Sequence, residues 1–198
     1  VAELTSVKKV TLPGAVVTTL ASGFSNYGGG ITSDDFGNLY VANTDASRVD
    51  KVSETTGAKT TVTGAGDYRV RAVAIDKTNN LLYTALYSLG NYSYLKRVNL
   101  TDNSITTIGI SGNGKIDGTA TTAQFKNITD IAFNNATQTL YVVDDASIRE
   151  VDFSLNVTTK TAYTGTIKLA INATGTTFRA TNLEVAKFGG FSNRVEIT

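Results

Sequence analysis

One pattern recurs four times along the 198 residues: an apolar strand, a short polar turn, then a second strand with an aromatic near its start. Gly30-Ile31-Thr32-Ser33 leads through Asp34-Asp35-Phe36-Gly37 into Asn38-Leu39-Tyr40-Val41-Ala42. Val73-Ala74-Ile75 leads through Asp76-Lys77-Thr78-Asn79-Asn80 into Leu81-Leu82-Tyr83, and Ile131-Ala132-Phe133 leads through Asn134-Asn135-Ala136-Thr137 into Leu140-Tyr141-Val142-Val143-Asp144. A weaker copy runs from Leu169-Ala170-Ile171 to Phe178-Arg179-Ala180-Thr181-Asn182. A period-two apolar run on each side of an Asx- or Gly-rich reversal is the signature of a β-hairpin. Repetition at a fixed spacing is read before any single element, because it sets the architecture.

Each hairpin is followed by a third alternating segment: Arg48-Val49-Asp50-Lys51-Val52, Leu95-Lys96-Arg97-Val98, Ile148-Arg149-Glu150-Val151 and Arg194-Val195-Glu196-Ile197. Thr-rich fourth segments follow the first three, at Lys59-Thr60-Thr61-Val62, Ser104-Ile105-Thr106-Thr107-Ile108 and Val157-Thr158-Thr159-Lys160-Thr161. Val, Ile, Thr and Tyr dominate, and no segment carries a helical stripe. The expectation is an all-β chain built as a β-propeller of four-stranded antiparallel blades, about four of them. The repeat units fall at about 24–64, 65–110, 111–165 and 166–198, preceded by N-terminal strands within 6–20.

The third copy and its lead-in, Gly112-Asn113-Gly114-Lys115-Ile116-Asp117-Gly118 through Phe125 to Asp130-Ile131-Ala132-Phe133, then Leu140-Tyr141-Val142-Val143-Asp144 and Ile148-Arg149, resemble an NHL repeat. The match is good over 112–151, fair over 30–52, loose over 71–98 and weak after 169. Asn127-Ile128-Thr129 stands where that family usually has a Pro, and Asn43, Leu86 and Asn182 stand where the third copy has Asp144. The resemblance implies a propeller and little about activity, since such folds host many functions.

Before the first copy, Ser6-Val7-Lys8-Lys9-Val10-Thr11 and Gly14-Ala15-Val16-Val17-Thr18-Thr19-Leu20 read as the third and fourth strands of a preceding blade. Unpaired sheet edges must be closed, covered or paired. Three arrangements satisfy that rule: a closed four-bladed ring, part of a longer propeller, or an open array whose edges join another copy. With no Met in the chain, Val1 reads as a processing site or the edge of a longer chain.

Composition narrows the chemistry. The chain has no Cys, His, Trp or Met. Disulfides, thiolates, Cys- or His-bound zinc and Ser-His-Asp triads are therefore excluded. Eighteen Lys+Arg against seventeen Asp+Glu give a formal charge of +1, which argues against a nucleic-acid partner, and short apolar runs argue against membrane insertion. Lys8-Lys9 and Arg69-Val70-Arg71 read as isolated basic spots at strand ends.

The candidate sites are few. The pairs Asp34-Asp35 and Asp144-Asp145 could serve acid–base chemistry, yet consecutive strand residues face opposite ways and Asp beside a hairpin commonly binds backbone amides, so turn and corner roles are expected. Asn113 and Asp117 lie in the one Gly-rich loop able to wrap a cation, without the ligand spacing of an EF-hand. A lactonase-like site would need a metal held by carboxylates and amides at a central channel, and no such set stands out; the amidating lyases related to NHL proteins rely on His ligands that this chain lacks. Tyr40, Tyr83, Tyr141 and Phe178 recur in register and are expected between blades. Tyr87, Tyr92 and Tyr94 fall outside that register, in an insertion spanning 85–94, and are the candidate binding residues, because tyrosine joins apolar area to a polar tip. Asn-X-Ser/Thr acceptor triplets for N-glycosylation stand at Asn91, Asn99, Asn127, Asn135, Asn156 and Asn172.

The resulting expectation is a non-catalytic, exported interaction module, extracellular or at the cell surface, needing no cofactor and binding protein or glycan. Two alternatives are a self-assembling filament or sheath subunit that pairs edge strands between copies, and a metal-dependent lactonase-like hydrolase.

Overall fold

In the computed structural model, residues 5–25, 28–66, 68–88, 90 and 92–162 are described. The fourth repeat, 166–198, with Phe178 and Asn172, lies outside them, as do Asn91 and Leu89. Every regular element among the described residues is a strand. A hairpin, β1 (Ser6–Thr11) with β2 (Val16–Ser22), precedes three four-stranded antiparallel sheets. The first sheet is β3 (Gly28–Ser33), β4 (Asn38–Asn43), β5 (Arg48–Ser53) and β6 (Lys59–Val62). The second is β7 (Arg69–Asp76), β8 (Leu81–Tyr87), β9 (Ser93–Asn99) and β10 (Ile105–Ile108). The third is β11 (Ile128–Asn134), β12 (Thr139–Asp144), β13 (Ser147–Val151) and β14 (Val157–Ala162). Each sheet follows sequence order, the meander that short turns allow.

The turns repeat as the strands do. At the end of each first strand an Asx side chain holds the reversal: the Asp34 carboxylate accepts from the amides of Phe36 and Asn38, Asp76 from those of Thr78 and Asn79, and Asn134 from those of Ala136 and Thr137. Gly37, Asn80 and Gln138 then take positive φ at the same place in the three turns. Asp34 thus fills the turn role expected of it. Burial pushes its carboxyl up, but hydrogen bonds from Asn38, Phe36 and Tyr40 together outweigh that and hold it below the ordinary value.

The sheets stack face to face, and the core lies between them. Tyr40, Ala42 and Val49 of the first sheet meet Val73, Ile75, Leu82 and Leu86 of the second. The opposite face of that second sheet, through Ala72, Ala74, Tyr83 and Leu95, meets Ile131, Leu140 and Val142 of the third. Residues of both parities in β7 and β8 are therefore buried, as expected of a sheet covered on both faces. The β1–β2 hairpin packs against the first sheet through Val7, Ala21 and Phe24 on Val41 and Val52. Gly57 makes that seat possible, because a Cβ there would overlap the Leu20 carbonyl oxygen.

The first strands β3, β7 and β11 lie side by side and carry the main contacts between sheets. Gly29 is needed where β3 meets β7: a Cβ there would lie 2.7 Å from the Ala42 Cβ and from the Arg71 carbonyl oxygen. Each first strand also carries a bulge at the same depth, between Gly28 and Ile31, Val70 and Ala72, and Ile128 and Asp130. An extra residue in one strand re-aims its side chain and deepens the local twist. In β7 that residue is Arg71.

Two expectations need adjusting. The 85–94 insertion is mostly strand: Leu86 pairs with Tyr94 and Tyr87 with Ser93, so the connecting loop is only 88–92. Tyr141 is only partly buried, unlike Tyr40 at 2% and Tyr83 at 3% exposure.

Candidate binding surface at the end of the second sheet

Antiparallel order puts the β4–β5, β8–β9 and β12–β13 loops at one end of the sheets, together with the connectors that enter each sheet. The hairpin turns within each sheet's first and last pairs lie at the other end. At the connector end, a polar residue of β4 or β12 grips the incoming chain. The amides of Lys126 and Asn127 donate to Asp144 Oδ1 at 2.9 and 2.8 Å, and the Ser25 amide and hydroxyl donate to Asn43 Oδ1 at 3.1 and 2.5 Å. The middle of each third strand carries a buried charged residue: Asp50, Lys96 and Arg149, at 2%, 6% and 0% exposure. Lys96 donates to the Gly64 carbonyl at 3.1 Å; Arg149 donates to those of Gln124 at 2.5 Å and Ile116 at 2.6 Å. Both cations therefore staple a connector carbonyl to the sheet, and Arg149 also lies over the Phe125 ring.

This network answers the cation-loop expectation. Asp117 is committed internally: its Oδ1 accepts from Arg149 Nη2 at 2.9 Å and from the Thr159 hydroxyl at 2.9 Å, and its Oδ2 accepts the Thr159 amide at 2.8 Å. Burial raises its pKa, the Thr159 and Arg149 contacts lower it, and the net direction is down. Asp145 is bridged by Lys115 and Lys126, which hold its carboxyl below the ordinary value. Among the described residues no group of three carboxylates stands close enough to hold a metal ion.

The predicted tyrosines end up together at the connector end of the second sheet, in different roles. Tyr94 is 8% exposed and belongs to the core between the first two sheets, so it serves as a floor rather than a contact surface. Tyr92 is half-buried, with its ring centroid 6.2 Å from that of Tyr94. Gly90 lets the Tyr92 ring lie against the loop, since a Cβ there would sit 2.9 Å from Tyr92 Cε1. The Ser88 amide closes the loop on the Tyr92 carbonyl at 3.0 Å. Tyr68, which sequence reading passed over, meets Tyr94 edge-on at 6.2 Å and keeps 38% of its surface exposed.

The other flank is built on Arg71. Its guanidinium lies 3.9 Å from the Tyr87 ring centroid and donates from Nη1 to Asn127 Oδ1 at 2.6 Å. Arg69 is exposed and pairs with Tyr87 across β7 and β8. Burial pulls the Arg71 guanidinium down from its ordinary value; Tyr87 opposes this and Arg69 adds to it. What read as an isolated basic spot is therefore an arginine pair set against tyrosine. The signal in the sequence was the i, i+2 spacing of Arg69 and Arg71 on a first strand; what hid it was the separation of Tyr87 by a turn and a strand.

Of the acceptor triplets, Asn135 and Asn156 are exposed and Asn99 partly so. Asn127 is half-buried and holds Arg71.

No family model matches the chain, and no curated protein does. Solved structures do. The chain is similar over 80% of its length to a chain in the nidogen/laminin complex, with 12% identity and a TM-score of 0.64, covering 59% of that chain. It is similar over 73% to an auxiliary nutrient binding protein from Bacteroides thetaiotaomicron, with 17% identity and a TM-score of 0.55, covering 38% of it. It is similar over 79% to virginiamycin B lyase from Staphylococcus aureus, with 13% identity and a TM-score of 0.55, covering 48% of it. The fold is a β-propeller. At these identities the likeness shows the fold alone, and the chain spans from 38% to 59% of the length of these structures.

Proposed function

We propose that this chain is a non-catalytic, exported β-propeller module, extracellular or at the cell surface, that binds protein or glycan at the connector end of its second blade. The observation that carries the reading is the meeting of Tyr68, Tyr87 and Tyr92 with Arg69 and Arg71 on one rigid sheet end. A tyrosine loses little conformational freedom on binding and offers a flat apolar face beside a hydroxyl, so exposed clusters of it on a scaffold suit recognition. The resemblance of 112–151 to NHL repeats supports a binding propeller of that family. Similarity in fold to a nutrient binding protein and to a protein found complexed with laminin is compatible with it.

Binding of the purified chain to immobilised extracellular matrix proteins and polysaccharides tests the reading. Tyr92→Ala with Tyr87→Ala is expected to abolish retention while the far-UV spectrum is kept. Retention unchanged in that double variant, or lactone turnover on addition of Ca²⁺ or Zn²⁺, would overturn it. Intact mass of the native protein reports sugar on the exposed acceptor triplets, which an exported reading allows.

One further observation favours a second reading, self-association. Among the described residues β1 pairs only with β2, and the same hairpin exposes Val10, Leu12, Val16 and Val17 at 41%, 79%, 58% and 61%. An unpaired edge beside apolar side chains is a template for another strand. Sedimentation of the chain over a range of concentrations separates this reading from the first.

A further inference from the structure

We infer that the ligand class of the second-blade surface is an acidic polysaccharide whose sugar carboxylates are held by Arg69 and Arg71 and whose rings lie on Tyr68 and Tyr92; this rests on the binding reading above. The charge argument comes first. Among the described cations, Arg48, Lys77, Lys115, Lys126, Arg149 and Lys160 face carboxylates, while Lys59 and Lys96 donate to backbone carbonyls. Arg69 and Arg71 make no ion pair among the described residues, and both stand against Tyr87, Arg71 over its ring and Arg69 opposite it across β7 and β8. A carboxylate can accept two parallel N–H bonds from a guanidinium, and it supplies a counter-charge that neither arginine meets among the described residues.

The aromatic argument selects the rest of the ligand. Tyr68 and Tyr92 lie on the flank facing the first blade, beside Tyr94, while Arg71 and Tyr87 lie on the flank facing the Asn127 connector. The flanks belong to opposite faces of one sheet, so their separation is on the order of 10 Å. A single sugar cannot reach both, whereas a chain of acidic sugars crossing the sheet end can. The strongly exposed aliphatic side chains of the β1–β2 hairpin lie on a different part of the chain. Flat rings with polar rims suit a pyranose better than a peptide side chain.

The chain carries nine Tyr and no Trp, so intrinsic tyrosine fluorescence reads the site without labelling. The test is a titration of the whole chain with oligogalacturonate, its fully methyl-esterified counterpart and a poly-glutamate peptide. The expected result is saturable binding of oligogalacturonate, at least about tenfold weaker binding of the ester, in which the carboxylate charge is gone, and about tenfold weaker binding by Arg69→Gln. Lys77→Gln removes the same charge at the opposite end of the blades and should leave affinity unchanged. Equal losses in Arg69→Gln and Lys77→Gln would mean unspecific attraction and overturn the inference, as would ester binding as tightly as acid. Tighter binding of poly-glutamate, lost with Tyr92→Ala, overturns the polysaccharide and leaves the binding surface standing. Oligogalacturonate bound equally by Tyr87→Ala, Tyr92→Ala and wild type overturns both.

Discussion

Arg149 Nη1 lies 3.1 Å from Asp144 Oδ2 across the β12–β13 hairpin, with both side chains fully buried. The carboxylate also receives two connector amides, so the pair ties the 109–127 connector to the third blade from two directions. Removing one partner of a buried pair strands the other charge. Asp144→Ala is expected to cost about 3–5 kcal/mol, and Asp144→Asn clearly less, because Asn43 does the same amide-gripping work in the first blade. Chemical denaturation of the two variants checks this; equal costs would show that the charge facing Arg149, and not the grip on the connector amides, decides stability at the position.

Gly29→Ala should destabilise by about 1–3 kcal/mol, the usual cost of overpacking. The added methyl would meet both a side chain and the β7 backbone at 2.7 Å, and backbone gives way less readily than a side chain. A thermal midpoint unchanged from wild type would mean that β3 and β7 are not pressed together as described.

Tyr40→Ala should cost about 3–5 kcal/mol. Its ring is buried between the first two blades, and its hydroxyl donates to Asp34 Oδ2 at 3.2 Å. Tyr141→Ala, at the equivalent position but partly exposed, should cost less. Urea midpoints of the two variants decide; the reverse order would contradict the burial pattern.

Asp34 and Asp117 titrate below the ordinary aspartate value of 3.8 in the folded state. The unfolded chain therefore binds more protons in that range, and the stability these carboxylates add is present above about pH 4 and lost as pH falls through their folded values. Asp34→Asn should flatten the acid limb of a stability-against-pH curve. An identical limb in the variant would show that the turn hydrogen bonds do not favour the charged form.

The blades were legible because each hairpin combines period-two alternation with an Asx turn, two local signals that agree at Asp34, Asp76 and Asn134. Depth was less legible. Tyr40 and Tyr141 share a register, yet only the first is sealed, because burial depends on what stands across the sheet rather than on the strand itself. Asp117 reads in the sequence as a possible cation ligand; it is held instead by Arg149 of β13 and Thr159 of β14, 32 and 42 residues away, and Arg149 reaches the connector carbonyls of Gln124 and Ile116, 25 and 33 residues away, pairings that no local pattern reveals. The tyrosine cluster was half read: Tyr87, Tyr92 and Tyr94 were found by their departure from register. Tyr94 turned inward, and Tyr68, Arg69 and Arg71 joined only through the pairing of β7 with β8.

Hydrogen–deuterium exchange on the whole chain, with and without saturating oligogalacturonate, tests most directly that the second blade's connector end is the ligand surface. The predicted result is slowed exchange at the amides of Arg69, Gly90 and Tyr92, and unchanged exchange in the turns at Asp34, Asp76 and Asn134 on the opposite end. Protection at those turns, or none at the second-blade loop while the ligand is bound, would contradict it.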